Sequence, residues 1–208
     1  MEKNEKNPPY IKAILIGETG VGKTNLINVS VGLNFIENRD ATFSNSFVEK
    51  SFQISDKKYN MQIWDTIGQE KFKHLTKLFF KNSKIVILVY DKSVKATFTK
   101  LDFWMNELKE VLGNDDIILA IVGNKEDLDE GEDDVDEDEA REYAQKYNAK
   151  FRMASAKMNS KGFISFLREL LIDYIRKTGG VVEEDNDRIV LEKEKEKTQT
   201  KKKSFFKC

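Results

Sequence analysis

Gly17-Glu18-Thr19-Gly20-Val21-Gly22-Lys23-Thr24 fits the pattern G-x-x-x-x-G-K-[ST]. The chemistry such a loop supports is specific. Its glycines let the backbone wrap phosphate groups with N–H donors turned inward, and a helix opening at its end adds a positive N-terminus. Lys23 supplies a point charge for the outer phosphates, and the Thr24 hydroxyl is a hard oxygen ligand suited to Mg²⁺. Thr19, Gly20, Val21, Gly22, Lys23, Thr24 and Asn25 are thus the expected phosphate-binding stretch. The loop asks for a nucleoside triphosphate without choosing the base. Asn124-Lys125-Glu126-Asp127 makes that choice. A carboxylate at Asp127 can accept from the N1–H and 2-amino groups of guanine, and adenine offers no such donor edge. Ser155-Ala156-Lys157 strengthens the reading with a backbone N–H suited to the guanine O6.

The elements that position these residues follow from the hydrophobic pattern. Residues 10–16, 85–90 and 117–122 are short apolar runs, read as buried strands. Residues 46–54 and 59–64 alternate, with Phe47, Phe52 and Ile54 as the apolar positions of the first. Residues 22–32 have helical spacing that puts Leu26, Ile27 and Leu33 on one side. Residues 96–112 form a helix on Phe98, Leu101, Trp104, Met105, Leu108 and Leu112. Residues 140–147 are helical and 150–153 extended. A last helix over 163–175 turns Phe163, Phe166, Leu167, Leu170, Leu171 and Tyr174 inward. Strands alternating with helices predict a mostly parallel sheet covered on both faces. The phosphate loop leaves the first strand and the Asn124 motif leaves 117–122, so both lie at carboxyl ends of strands, where such sheets bind ligands.

Composition sets outer limits. The 208 residues suit one domain with tails: an arm over 1–9, a body over 10–177 and a C-terminal tail over 178–208. With 35 basic and 36 acidic residues the net charge is −1, which argues against a nucleic-acid partner. The only cysteine is Cys208, so no disulfide can form within the chain, and with no secretory signal the expected compartment is cytoplasmic. Neither long apolar run approaches the ~20 residues that span a bilayer. Of the eleven residues 129–139, nine are Asp or Glu without EF-hand spacing, which reads as a solvated loop feeding acids into the first turn of the next helix. A partner-docking patch is the other reading. The arginines of the body (Arg39, Arg141, Arg152, Arg168 and Arg176) form no cluster of the kind a P-loop kinase lid would need.

The motifs together resemble those of the Ras superfamily of small GTPases, and more closely the Rab family. Trp64-Asp65-Thr66-Ile67-Gly68-Gln69-Glu70 is similar to W-D-T-A-G-Q-E. Phe79-Phe80-Lys81-Asn82-Ser83, followed by Leu88-Val89-Tyr90-Asp91, is similar to Y-Y-R-G-A…L-V-Y-D. The likeness runs from Tyr10 to about Lys177. It implies a G domain of three layers, with six strands and about five helices. The activity implied is a slow GTPase that cycles between GTP and GDP with Mg²⁺ and acts as a switch in vesicle traffic. By resemblance, Phe35 stacks on the base, and Thr24, Thr42 and Asp65 serve the metal. The Gly68 N–H senses the γ-phosphate, and Gln69, Lys23 and Thr42 are the catalytic set, Gln69 orienting the attacking water. Phe47, Trp64 and Phe79 occupy the positions of an aromatic triad read by effectors. An exchange factor, a GTPase-activating protein, a prenyl transferase and an escort protein are the further partners implied, for a monomer working on the cytosolic face of endomembranes.

Three departures stand out. Thr42-Phe43-Ser44-Asn45-Ser46-Phe47 replaces the usual T-I-G-V-D-F, a looser form closer to the early-endocytic branch. Ile67 stands where the family has alanine. It is about three carbons larger beside the metal and γ-phosphate, which predicts altered hydrolysis or nucleotide exchange and offers the alternative of a binding module that barely hydrolyses. A single terminal Cys208 replaces the usual pair. With the lysines at 201–203 and Lys207 beside Phe205 and Phe206, it remains the expected lipid-attachment point, because one chain plus a polybasic cluster makes an anchor.

Overall fold

The computed structural model describes residues 10–37, 42, 46–66, 80–113, 116–128 and 131–182. The described residues form six strands: β1 (Ile11–Ile16), β2 (Ser46–Ile54), β3 (Lys57–Asp65), β4 (Ile85–Asp91), β5 (Ile118–Asn124) and β6 (Lys150–Met153). The described helices are α1 (Lys23–Ser30), α2 (Lys95–Thr99), α3 (Leu101–Leu112), α4 (Glu137–Lys146) and α5 (Ser160–Lys177). The sheet order is β2-β3-β1-β4-β5-β6. Only β2 and β3 pair antiparallel, and their nine-residue register runs from Ser46↔Asp65 to Ile54↔Lys57. The remaining pairs are parallel.

Strand periodicity divides the core in two. Ala13 and Leu15 of β1 join Ile85, Ile87 and Val89 of β4 and Ala120 and Val122 of β5 on one face, under α1 and α5. Ile14 and Ile16 join Val86, Leu88, Tyr90 and Ile121 on the other, under α2, α3 and α4. Buried on both faces, β4 shows no polar alternation, as expected of an inner parallel strand.

Four local expectations need correction. Helix α1 ends at Ser30, where Gly32 (φ +84°) closes a Schellman turn with Gly32 N–H to Val29 O at 3.2 Å and Leu33 N–H to Asn28 O at 3.0 Å. Leu33 therefore lies past the helix, and it is 57% exposed. The helix expected over 96–112 is two, meeting at Lys100, where ψ flattens to −10° while the Lys100 N–H to Ala96 O and Trp104 N–H to Lys100 O bonds persist at 3.3 Å. On α5 it is Ile175 that is buried, while Tyr174 is half-buried. Phe47 lies on the opposite side of β2 from Phe52 and Ile54, is 44% exposed, and rests against its cross-strand neighbour Trp64 with ring centroids 4.8 Å apart.

The acidic run is used locally. Asp136 caps α4, accepting from the Asp138 and Glu139 N–H groups at 2.9 and 3.1 Å, and three acids fill the first turn. Asp134 pairs with Lys92 at 3.2 Å. Among the described residues, no acid or histidine cluster suits a metal ion and no helix is long and apolar enough to cross a membrane.

Candidate functional site

A cleft of about 320 Å³ opens at the carboxyl ends of the strands. It is lined by Thr19, Gly20, Gly22, Lys23, Thr24, Asn25, Phe35, Thr42, Asn124, Lys125, Asp127, Ala156 and Lys157, together with Glu37 and Leu128. Sequence reasoning named all of these but the last two, which carry no motif.

At one end the loop 17–24 turns into α1. Gly22 occupies the N-cap at φ +94°, no side chain caps the helix, and its first turn holds no acid. The positive helix end therefore faces the cleft with no cap or acid of its own, which suits an anion. Lys23 is buried, and its ammonium donates to the Gly17 and Glu18 carbonyls, both at 2.8 Å. Burial pushes its pKa down to about 8, against the pull of the Asp65 and Glu18 charges. Glu18 itself points away from the cleft, where its carboxylate accepts from the buried Trp104 indole N–H at 3.0 Å. Beside the loop, the Thr24 hydroxyl donates to Asp65 Oδ2 at 2.6 Å and lies 2.8 Å from the Thr42 hydroxyl. Three hard oxygens from α1, β3 and residue 42 thus converge beside the phosphate loop, a donor set that fits Mg²⁺.

The other end is built by β5 and the turn after β6. Asn124 Nδ2 donates to the Val21 carbonyl at 2.8 Å, and its Oδ1 accepts from the Ala156 N–H at 3.3 Å. One buried amide therefore ties the loop 17–24 to the end of β5 and to the turn after β6. Lys125 sits in the left-handed region (φ +66°), and its ammonium pairs with Asp91 at 2.5 Å. Asp127 accepts from the Ser155 hydroxyl at 2.5 Å, and that hydroxyl in turn accepts from the Met158 N–H at 2.9 Å. Val21 and Ser155 are buried behind the cleft rather than lining it.

Comparison with known proteins adds the family. The Ras family model matches residues 12–172. The chain is 36% identical over 181 residues to Ras-related protein Rab-18 of Lymnaea stagnalis, covering 87% of this chain and 88% of that protein. It is 38% identical to Ras-related protein Rab-18-B of Danio rerio over 173 residues, 83% of this chain and 82% of the relative. It is 40% identical to Ras-related protein Rab-21 of Mus musculus over 166 residues, 80% and 72% respectively. The chain belongs to the Rab family of Ras-related GTPases. As a family member it binds GTP, GDP and Mg²⁺, hydrolyses GTP, and serves as a small GTPase switch in membrane traffic.

Of the expected Rab site residues, Gly68, Gln69 and the departure Ile67 lie outside the described residues, as do Phe79 and Cys208. Phe47 and Trp64 are brought together on the outer hairpin, with the Lys12 ammonium 5.0 Å from the Trp64 ring centroid. Three side-chain contacts around the cleft escaped sequence reasoning: Glu18 held by Trp104, Asp91 held against Lys125, and the Asn25 amide bonded to Ile36. Each joins residues distant in sequence, and no spacing rule signals them.

Proposed function

We propose that this Rab protein selects guanine nucleotides through Asp127 and the 155–157 turn, and grips their phosphates with residues 19–25. Thr24, Thr42 and Asp65 hold Mg²⁺, which when bound neutralises charge on the outer phosphate oxygens. The observation that carries this reading is Asn124, whose amide joins the Val21 carbonyl to the Ala156 N–H and so fixes the base side relative to the phosphate side. Lys23, already charged below pH 8, meets the outer phosphates when it leaves the Gly17 and Glu18 carbonyls. Phe35 lies along the base. Gln69 orients the attacking water, and the Gly68 N–H and Thr42 release their hold once the γ-phosphate departs. Intrinsic turnover is slow, and an activating protein raises it.

Effectors of the early-endocytic type read Phe47, Trp64 and Phe79 in the GTP state, and an exchange factor opens the cleft. Residues 178–208 carry a lipid on Cys208, added by a prenyl transferase and shielded by an escort protein, and hold the monomer on endomembranes. Intact mass of the protein from its native membranes checks the lipid; an unmodified Cys208 throughout that fraction refutes it. Single-turnover hydrolysis of bound GTP tests the rest. Gln69→Leu is expected to slow it by at least tenfold, and a rate equal to the unaltered protein removes Gln69 from the mechanism. In the same assay, a faster Ile67→Ala supports the reading in which Ile67 restrains hydrolysis, and equal rates with equal GDP release dismiss it.

A further inference from the structure

Asn25 lies in the first turn of α1 directly after Thr24, and its side chain is buried. That side chain makes two hydrogen bonds, both to the backbone of one residue on another segment. Its Nδ2 donates to the Ile36 carbonyl at 2.8 Å, and its Oδ1 accepts from the Ile36 N–H at 3.3 Å. A planar carboxamide carries a donor and an acceptor side by side, so it can engage both polar groups of one residue as a neighbouring strand would. The clip fixes the peptide planes on both sides of Ile36, and one of those planes is the Phe35–Ile36 peptide. Phe35 is half-buried, packs against the core under α1 and α5, and lines the cleft. The Ile36 side chain is exposed, so it does not anchor the segment. The Glu37–Lys157 ion pair at 3.2 Å is exposed on both sides, and such pairs hold weakly.

We propose that Asn25 is a positioning residue for the purine base. Its carboxamide clips Ile36 to the phosphate-binding helix, holds Phe35 at the base, and so slows nucleotide release. The side chain acts through Phe35, because its Nδ2 and its Oδ1 both engage the backbone of Ile36. This rests on the reading of the cleft as a guanine-nucleotide site.

The test uses the full chain loaded with a fluorescent GDP analogue, with release followed in excess unlabelled GDP. Asn25→Ala is expected to speed release about tenfold, as the loss of two neutral hydrogen bonds implies. Phe35→Leu is expected to speed it too, and adding Asn25→Ala to Phe35→Leu should then change the rate less than twofold, because both act on one contact. The Asn25→Ala factor should persist when EDTA removes Mg²⁺. Full additivity with Phe35→Leu overturns the proposal, as does a factor that vanishes in EDTA, which would assign the effect to Thr24 and the metal. Asn25→Ser, too short to span both groups of Ile36, is measured in parallel and should match the alanine variant; an unaltered release rate in whichever variant folds also overturns the clip. An unaltered protein that takes up no labelled GDP would instead refute the guanine reading itself.

Discussion

Gly22→Ala tests how the two ends of the cleft are joined. A Cβ on Gly22 would sit 2.3 Å from Asn124 Nδ2 and 3.6 Å from Asn124 Cγ. Asn124 is short, buried and bonded at both ends, so it cannot swing aside freely. The substitution carries two costs. Alanine held at φ +94° incurs roughly 1–2 kcal/mol of backbone strain. Displacing Asn124 strands the buried Val21 carbonyl, which costs about 1–3 kcal/mol. The expected loss is therefore about 2–5 kcal/mol, read as a lowered urea midpoint of the GDP-bound protein with an unchanged slope. Asn124→Ala alone should cost only the hydrogen-bond part, about 1–3 kcal/mol. In the double variant that part is lost once, and the alanine at 124 leaves room for the new methyl. Gly22→Ala/Asn124→Ala should then be no less stable than Gly22→Ala, and the cycle should show a coupling of about 1–3 kcal/mol. Strict additivity would refute the collision and leave backbone strain as the whole effect.

Lys23 predicts a proton linkage. Its pKa is about 8 in the open cleft, and nearby phosphates must raise it, so GDP binding at pH 8.5–9 should take up protons; calorimetry in buffers of different ionisation enthalpy reads this, and no uptake refutes it. The sign for stability follows: between about pH 8 and 10.5 the unfolded chain binds more protons at this lysine than the ligand-free fold, so the fold should gain stability with rising pH relative to Lys23→Met. Trp104→Phe removes the donor held by Glu18 and leaves space beside a buried ring, and should cost about 2–4 kcal/mol in urea unfolding, with a coupling near 1 kcal/mol to Glu18→Ala; zero coupling dismisses the bond as a determinant of the loop's shape.

What could be read ahead of the structure divides along a physical line. Local and periodic signals were legible: β6 falls on 150–153, β2 on 46–54, and the phosphate and base motifs lie at strand ends where their residue types require them. A small backbone departure inside a helical stripe was not. The stripe over 96–112 divides at Lys100 without disturbing its spacing, since Phe98, Leu101, Trp104 and Leu108 are all buried. The helical spacing was read to stop at Gly32, and the glycine's left-handed turn there is what carries Leu33 off the helical face.

The pairs that brace the cleft belong to neither class. Glu18 meets Trp104 across 86 positions, and Asn124 meets Val21 across 103. Their partners are a tryptophan that hydrophobic spacing already explains as core and a backbone carbonyl that has no sequence signature. Trp104 illustrates why this matters. Its ring fills the core between α3 and the sheet while its N–H holds the carboxylate of the phosphate loop, so one residue satisfies a packing pattern and a binding geometry together. Periodicity detects only the first. Asn25 shows the converse: its place beside Thr24 puts it in the phosphate-binding stretch, and no spacing rule announces that its side-chain amide bonds the backbone of Ile36, the neighbour of Phe35. The two ends of the cleft are thus joined at two points, through Asn124 and through Asn25. Loosening either end is expected to be felt at the other, which is the property an exchange factor needs if it is to release the whole ligand by acting on one side of the cleft.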